Sequence, residues 1–142
     1  MKTYAVTIDD EGTVRWRING KLHREDGPAV ECANGDKRWY FNGKLHREDG
    51  PAIEWSNGTK CWYINDKRHR EGGPAIEGAN GSKHWYVNGE LHCESGPACI
   101  FESGIKFWCL NNEMLTEEEF NNRKKPLLNT QITINGVEYI LK

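Results

Sequence analysis

Long apolar runs are absent from this 142-residue chain, as is a charged-then-apolar segment after Met1 that would direct secretion. No stretch approaches the roughly 20 apolar residues that a membrane-spanning helix needs, so we expect no membrane span. Hydrophobic residues make up only 37% of the chain, whereas aromatic residues reach 11%. Much of the apolar mass therefore lies in a few flat rings, which favours a thin sheet over a thick globule.

An excess of positive charge is also lacking. The chain has 19 basic and 21 acidic residues, for a net charge of −2, and the two signs are mixed along it. Binding along a nucleic-acid backbone needs a clustered positive surface, so we expect no nucleic-acid partner. The five cysteines are odd in number and show no CxxC spacing. We interpret them as reduced thiols of a cytoplasmic protein.

A 23-residue repeat dominates what is present. Gly-Pro-Ala, a Leu-His or Arg-His pair and an Asn-Gly turn signal all recur on this period, the last fading to Ser103-Gly104. Such self-similarity indicates an array of one supersecondary unit whose end copies are altered into caps. The most regular marker is tryptophan, at Trp16, Trp39, Trp62, Trp85 and Trp108.

Each unit is predicted to consist of short strands joined by tight turns. Asn34-Gly35 is a strong hairpin signal, because both residues tolerate φ > 0, and Asn42-Gly43 is a second turn signal. Connections this short force neighbouring strands to run antiparallel. We therefore predict an all-β fold, an elongated antiparallel meander of 23-residue hairpin repeats, with a short C-terminal helix and a terminal β-hairpin.

The strand register is predicted from the first turn. A two-residue turn at Asn34-Gly35 would place Val30 opposite Trp39, and alternation would then put both on one face and Tyr40 on the other. Stacked repeats would form a Trp column on one face and a Tyr column on the other. Both faces would carry apolar stripes, so we expect the tail or a second subunit to cover one of them.

The chain divides into a β-repeat array over residues 1–115, about five units with both ends partial, and a C-terminal cap over residues 116–142. Thr116 and Glu119 form a capping box that predicts a helix from about residue 117 to 125, ended by Pro126. Two β-prone runs around Asn135-Gly136 predict the terminal hairpin. This hairpin would extend the sheet or pair with a partner chain, which allows a homodimer.

The unit that starts at Trp39 resembles a divergent MORN repeat, with matches at Trp39, Gly43, His46, Gly50 and Gly58. It is more similar to the Leu-His-Arg-Glu-Asp-Gly-Pro-Ala repeats of bacteriophages and large DNA viruses. Arrays of that type often end in Leu-Thr-Glu-Glu-Glu-Phe, the sequence at 115–120 here. The resemblance covers about residues 4–120. It implies a viral source and a scaffold, lipid-binding or protein-binding module in the host cytoplasm.

Three sets of side chains are candidates for binding. The arginines either form an exposed ladder with the glutamate that follows each of them, or present forks to a phosphate or carboxylate. The aromatic columns either pack in the core or stack against bases or partner side chains. Trp55 stands at a position of variable size and faces solvent or a partner. The predicted binding residues are Trp55, Arg24, Arg47, Arg70, Trp39, Trp62, Tyr40 and Tyr63.

The histidine column predicts no metal site. Equivalent residues of successive hairpins lie about 9–10 Å apart at normal strand spacing, whereas metal ligands converge on one ion within about 2.1 Å. Structural hydrogen bonding is the favoured role, with ligand recognition left open. The sequence has no Ser-His-Asp arrangement, phosphate loop or HExxH motif, so we predict no enzyme and no cofactor. The column comprises His23, His46, His69 and His92.

These patterns predict a non-enzymatic viral binding protein, of phage origin, that engages a host protein, with inhibition of host defence as one form of that role. One alternative is a protein that sequesters an anionic, nucleotide-type small molecule through arginine and aromatic side chains. A second alternative is a membrane-surface scaffold, which the MORN resemblance alone implies.

Overall fold

The computed structural model describes residues 2–124, 131–134 and 136–140. Short strands dominate these residues, and there is one helix among them. The elements are β1 (Ala5–Ile8), β2 (Val14–Ile18), β3 (Lys21–Leu22), β4 (Val30–Glu31), β5 (Lys37–Arg38), β6 (Tyr40–Phe41), β7 (Lys44–Leu45), β8 (Ile53–Glu54), β9 (Lys60–Cys61), β10 (Tyr63–Ile64), β11 (Lys67–Arg68), β12 (Ile76–Glu77), β13 (Lys83–His84), β14 (Tyr86–Val87), β15 (Glu90–Leu91), β16 (Cys99–Ile100), β17 (Lys106–Leu110), β18 (Glu113–Leu115), α1 (Glu117–Lys124), β19 (Gln131–Ile134) and β20 (Val137–Ile140).

Twelve of the strands form one long antiparallel sheet, the main sheet. Its order is β1-β2-β4-β5-β8-β9-β12-β13-β16-β17-β18, with β3 paired to β2. Each repeat contributes two successive strands, as β4 with β5 or β8 with β9, so the repeats stack side by side. The predicted all-β meander of hairpin repeats is therefore confirmed.

Each inner repeat also carries a small second hairpin, the arm hairpin, outside the main sheet: β6–β7, β10–β11 and β14–β15. The chain leaves the main sheet at tryptophan. The Trp39 N–H donates to the Ala52 carbonyl at 2.8 Å, and the Trp39 carbonyl accepts from the His46 N–H at 3.1 Å. The arm turns back at Asn42 and Gly43, whose φ values of 50° and 84° fit a two-residue type I′ turn.

The turn within the main sheet differs from the prediction. Gly35 has φ +96° and its N–H donates to the Cys32 carbonyl at 2.9 Å, so the loop has three residues instead of two. Val30 consequently pairs with Arg38, not with Trp39. Because a one-residue shift moves every side chain to the other face, the predicted sharing of a face by Val30 and Trp39 is wrong.

Small buried residues make the core thin. The alanine of each Gly-Pro-Ala segment is completely buried, and its carbonyl accepts the tryptophan N–H of the preceding strand at 2.8 Å. Val30 and Ile53 are also buried, whereas the tryptophans are half-buried. The low hydrophobic content thus fits a sheet whose large rings lie along its surface. The alanines are Ala29, Ala52, Ala75 and Ala98.

The capping box begins the helix as predicted. The Thr116 hydroxyl accepts from the Glu119 N–H at 3.1 Å, and the Glu119 carboxylate accepts from the Thr116 N–H at 2.8 Å. Phe120 anchors α1, with 2% of its surface exposed. The helix end predicted at Pro126 lies outside the described residues. Within the described part of the chain, no helix is long and apolar enough to cross a membrane.

The terminal hairpin is confirmed as well. β19 pairs antiparallel with β20, from Gln131 with Ile140 to Ile134 with Val137. The two strands form a sheet of their own. We expected this hairpin either to extend the main sheet or to pair with a partner chain. In the residues that the structure describes, it does not extend the main sheet.

Candidate functional site

The arginine of each repeat organises the loop that follows the histidine. We call this loop, residues 24–28 and its equivalents at 47–51, 70–74 and 93–97, the rim loop. Arg24 donates to Asp26 at 3.0 Å, to the Pro28 carbonyl at 3.3 Å and to Glu31 at 3.0 Å. Its guanidinium carbon also lies 4.1 Å from the centroid of the Trp16 ring. The arginine is thus held by its own loop and its own sheet.

The stacking on tryptophan and the bond to the strand glutamate recur in the next two repeats, whereas the bond to an aspartate recurs only in the first of them, since the other has Gly72 at that position. The guanidinium groups of Arg47 and Arg70 lie 4.1 and 3.8 Å from the centroids of Trp39 and Trp62. Each arginine donates to the glutamate seven residues further on, at 3.2 and 2.6 Å. The carboxylate partner is therefore not the adjacent glutamate, as the exposed ladder predicted, but one on the following strand.

The fourth repeat replaces this ion cluster as a whole. Cys93 stands in place of the arginine, Ser95 in place of the aspartate and Ile100 in place of the glutamate. Cys93 is buried, with 6% exposed, in an apolar cluster that includes Cys109 and is packed by Trp85. A lone guanidinium or a lone strand glutamate here would lack its partner, so the replacements of the arginine and the glutamate go together, whereas the third repeat keeps both and has Gly72 in place of the aspartate.

The histidines connect each repeat to the next arm hairpin. The Nδ1 atom of each accepts from the backbone N–H of the asparagine 19 residues later. Because Nδ1 is the acceptor in His46, His69 and His92, their neutral rings carry the proton on Nε2, which lies 3.5–4.0 Å from the glutamate of the rim loop. These bonds support the predicted structural role. Their lengths are 3.0, 3.2, 3.0 and 3.1 Å for His23, His46, His69 and His92.

Two equivalent grooves lie between successive rim loops. Their floors are aromatic or aliphatic, with Trp39 and Phe41 in the first groove and Trp62 and Ile64 in the second. Phe41 is 44% exposed, and its ring centroid lies 4.5 Å from that of His23. The rim loops form the walls. The wall residues are 24–28 and 46–49 in the first groove, and 47–51 and 69–71 in the second.

The exposed charges on the groove walls are negative. The side chains of Asp26, Glu48, Asp49 and Glu71 are 79%, 85%, 84% and 92% exposed. Hydrogen bonds from the neighbouring arginines hold the pKa values of Asp26 and Asp49 below their ordinary value, so both are charged at neutral pH. The positive charges, by contrast, are bonded to carboxylates and stacked on tryptophan. We call the grooves with these walls the groove face.

A third groove lies at the end of the array and is closed by the helix. One wall has a histidine and a glutamate, His92 and Glu94, as the open grooves do, and the opposite wall is α1. Lys124 Nζ lies 4.7 Å from the Phe120 ring, and Arg123 makes two hydrogen bonds to Glu113 at 2.9 and 2.6 Å. The chain thus places its own cations at this groove. The lining residues are His92, Glu94, Leu110, Asn111, Phe120, Arg123 and Lys124.

The structure brings most of the predicted binding residues together on the groove face. Two residues lie elsewhere. Trp55 lies 5.2 Å below the Arg38 guanidinium, and Tyr63 accepts a hydrogen bond from Arg68 Nε at 3.2 Å. The residues that line the grooves are Arg24, Arg47, Arg70, Trp39, Trp62 and Tyr40.

Sequence reasoning missed the groove floor at Phe41 and Ile64. Both follow Trp-Tyr directly and precede the arm turn, a position that is apolar in every inner repeat and could have been noticed for that reason. It also missed Arg68, which replaces the leucine of other repeats and stacks between Tyr63 and Tyr86, at 5.9 and 5.4 Å.

The closest thiol–imidazole pair comes from strand pairing. His84 lies opposite Cys99, with Nδ1 and Sγ 3.2 Å apart. Burial lowers the pKa of His84 and raises the pKa of Cys99, which disfavours the thiolate–imidazolium form that a nucleophilic cysteine requires. All five cysteines are free thiols. Among the described residues, no group of three or more His, Cys, Asp or Glu side chains could hold a metal ion.

No protein-family model matches this chain, and no curated protein matches it. The resemblance to MORN-like and viral repeats therefore remains a prediction from the repeat residues themselves, and the functional inference depends on the groove face.

Proposed function

We propose that this chain is a non-enzymatic protein-binding module that docks a partner protein on its groove face. The observation that supports this most is the recurrence of one groove, with an apolar floor and charged walls, on successive repeats. Recurring sites spread contacts over an extended surface, as repeat arrays do when they bind. An enzyme would instead need one specialised copy.

The charges of the groove walls favour a protein partner over an anionic ligand. A phosphate could reach Arg24 or Arg47 only by displacing the aspartate and glutamate that each already binds. Exposed carboxylates beside the grooves would repel it further. The same charges disfavour a membrane-surface scaffold, because anionic lipid surfaces attract basic clusters. Sequestration of a nucleotide-type molecule is thus the less favoured alternative.

The identity of the partner as a host protein follows from the resemblance to phage and large-virus repeats. A host protein bound to the groove face would have part of its own surface covered. It could then no longer contact its usual partners, which is how such a module would inhibit host defence. A second copy of this chain, bound through the terminal hairpin, is the competing partner.

Affinity capture with matched variants tests the proposal. The full chain would be used as bait in host lysate, beside a double variant Phe41→Ser and Ile64→Ser and a control Val6→Ser. Val6 is 50% exposed on β1, away from the grooves. Because groove-floor contacts carry most of the affinity, we expect the double variant to recover at least about tenfold less partner than the control. Equal recovery by all three baits would contradict the proposal.

A further inference from the structure

The spacing of the grooves follows from the main sheet. Each inner repeat adds two neighbouring strands, as β8 with β9 after β4 with β5. Antiparallel strands lie about 4.7–4.9 Å apart, so equivalent points on successive repeats recur about every 9.5 Å along the array. Any partner that uses both open grooves must match this distance.

An extended peptide matches the spacing at every third residue. In a β-strand, residues three apart point to opposite faces of the strand. In a polyproline II helix, three residues make one turn and advance about 9.3 Å, so every third side chain lies on the same side. One side chain in three would then enter a groove, with the others directed away. An α-helix is about 10–12 Å wide, as broad as the groove spacing itself, and fits two adjacent narrow grooves less well.

The groove walls specify a cation at those positions. Glu48 is exposed beside both grooves and Glu71 beside the second, and neither is bonded to an arginine. Asp26 and Asp49 are exposed there too, but they already bond Arg24 and Arg47. A lysine or arginine could lay its apolar stem over the floor and keep its charged end at the carboxylates. The third groove has a related composition, because α1 supplies Arg123 and Lys124 to a lining that also includes Glu94.

We propose that the groove face binds an extended basic segment of a protein that has lysine or arginine at every third residue, one cation for each open groove. This inference rests on the proposed protein-binding function and specifies its partner chemistry. Salt weakens the binding, because the contacts are ion pairs at the surface.

Peptides of equal composition test the spacing. Fluorescence anisotropy of the full chain would compare three labelled peptides with identical uncharged spacers, whose three lysines lie two, three or four residues apart. A stapled helix with lysines seven residues apart, which also spans about 10 Å, completes the set. We expect the three-residue spacing to bind at least about tenfold more tightly than the others. Equal affinity for all spacings, or tightest binding of the helix, would overturn the inference.

Charge-reversal variants test the location. The double variant Glu48→Lys and Glu71→Lys should weaken binding of the best peptide at least about tenfold. The control double variant, Glu90→Lys and Glu102→Lys, makes the same change in net charge away from the open grooves, and Glu90 stands where other repeats have Lys44 and Lys67. Equal loss in both variants would overturn the location.

The outcomes distinguish this inference from the proposed function. If no basic peptide binds while Phe41→Ser and Ile64→Ser still abolish capture of a partner protein, the basic segment is wrong and the protein-binding function stands. If these two substitutions also leave capture of the partner protein unchanged, both the basic segment and the protein-binding function are wrong. Tighter binding of an acidic peptide or of RNA would overturn the basic segment as well.

Discussion

Each rim-loop arginine makes several interactions at once. The number of these interactions decides whether the arginine is free to bind a ligand or stabilises the loop. Arg47 bonds Asp49 and Glu54, donates to a backbone carbonyl and stacks on Trp39. An ion pair with an exposed carboxylate contributes about 0.2–1 kcal/mol, and a stacked guanidinium adds about 0.5–2 kcal/mol. Release of the arginine to an external anion would forfeit these contributions. At the residue scale, the ladder therefore stabilises the loops that shape the grooves.

The stabilising role of the arginine is tested when the residues found at Cys93, Ser95 and Ile100 are placed at the equivalent positions around Arg47. Arg47→Cys alone removes the stacking on Trp39 and leaves two carboxylates without their partner, and we expect it to lower the free energy of unfolding by about 1–3 kcal/mol. The triple variant Arg47→Cys, Asp49→Ser and Glu54→Ile reproduces the set at Cys93, Ser95 and Ile100. It should regain at least about 1 kcal/mol relative to the single variant, because the sites are coupled. Urea unfolding measures both, and additive losses would contradict the coupling.

Two glycines at equivalent positions give a second test. A Cβ atom at position 50 would lie 2.9 Å from the Arg47 Cζ atom, whereas one at position 96 meets no atom within 4 Å. We expect Gly50→Ala to destabilise the chain by about 1–3 kcal/mol through overpacking. Gly96→Ala should change its stability by less than about 1 kcal/mol. Thermal unfolding compares them, and equal effects would show that Arg47 does not lie against the loop backbone.

The rim-loop aspartates predict how stability depends on pH. The pKa values of Asp26 and Asp49 are lowered in the folded state by hydrogen bonds from Arg24 and Arg47. Their stabilising contribution is therefore complete above the unfolded pKa and is lost as pH falls through the lower folded pKa. The melting temperature should fall in acid below about pH 4. It should fall less steeply in Asp49→Asn, and an unchanged slope in that variant would contradict the linkage.

At the element scale, one dipeptide forms two different turns. Asn42-Gly43 closes a two-residue turn, whereas Asn34-Gly35 lies in a three-residue loop. Asp36 stabilises the longer loop in its own repeat, because its carboxylate accepts from the Ser56 N–H at 2.7 Å and from the Asn34 side chain at 3.0 Å. The same loop forms in the repeats that have Thr59, Ser82 or Ile105 at this position, so the aspartate does not select the loop length.

This difference also marks how far the sequence could predict the fold. The period, the antiparallel meander, the capping box at Thr116 and the terminal hairpin are local patterns, and all were predicted. The register was not, because Asn-Gly supports either turn length. The floor at Phe41 and the pairing of His84 with Cys99 depend on that register. The negative charge of the groove walls could not be predicted either, because the sequence does not show which carboxylate each arginine binds.

Substitution of the buried aspartate tests the loop. Asp36 is only 6% exposed and accepts hydrogen bonds from Ser56 and Asn34. Asp36→Ala would leave the Ser56 N–H without this acceptor, and we expect a loss of about 1–3 kcal/mol in the free energy of unfolding. Asp10→Ala, at an exposed position, is the control and should change it by less than about 0.5 kcal/mol. Similar losses for both variants would show that Asp36 does not stabilise the loop.

At the scale of the whole molecule, the repeats form a row in which each unit contacts its neighbours, with partial units at both ends. In the part of the chain that the structure describes, the row carries open grooves between its first three rim loops and a groove closed by α1. The central claim is that a partner protein occupies the open grooves. It depends on how the repeats are arranged, and no single residue establishes it.

Amide hydrogen exchange of the full chain, with and without the partner protein recovered by capture, tests this claim most directly. We expect slowed exchange in the rim loops and arm strands that line the open grooves, residues 24–28, 39–51 and 62–71, with β1 unchanged. Protection confined to β1 or to the terminal hairpin, with the grooves exchanging as in the free chain, would contradict it.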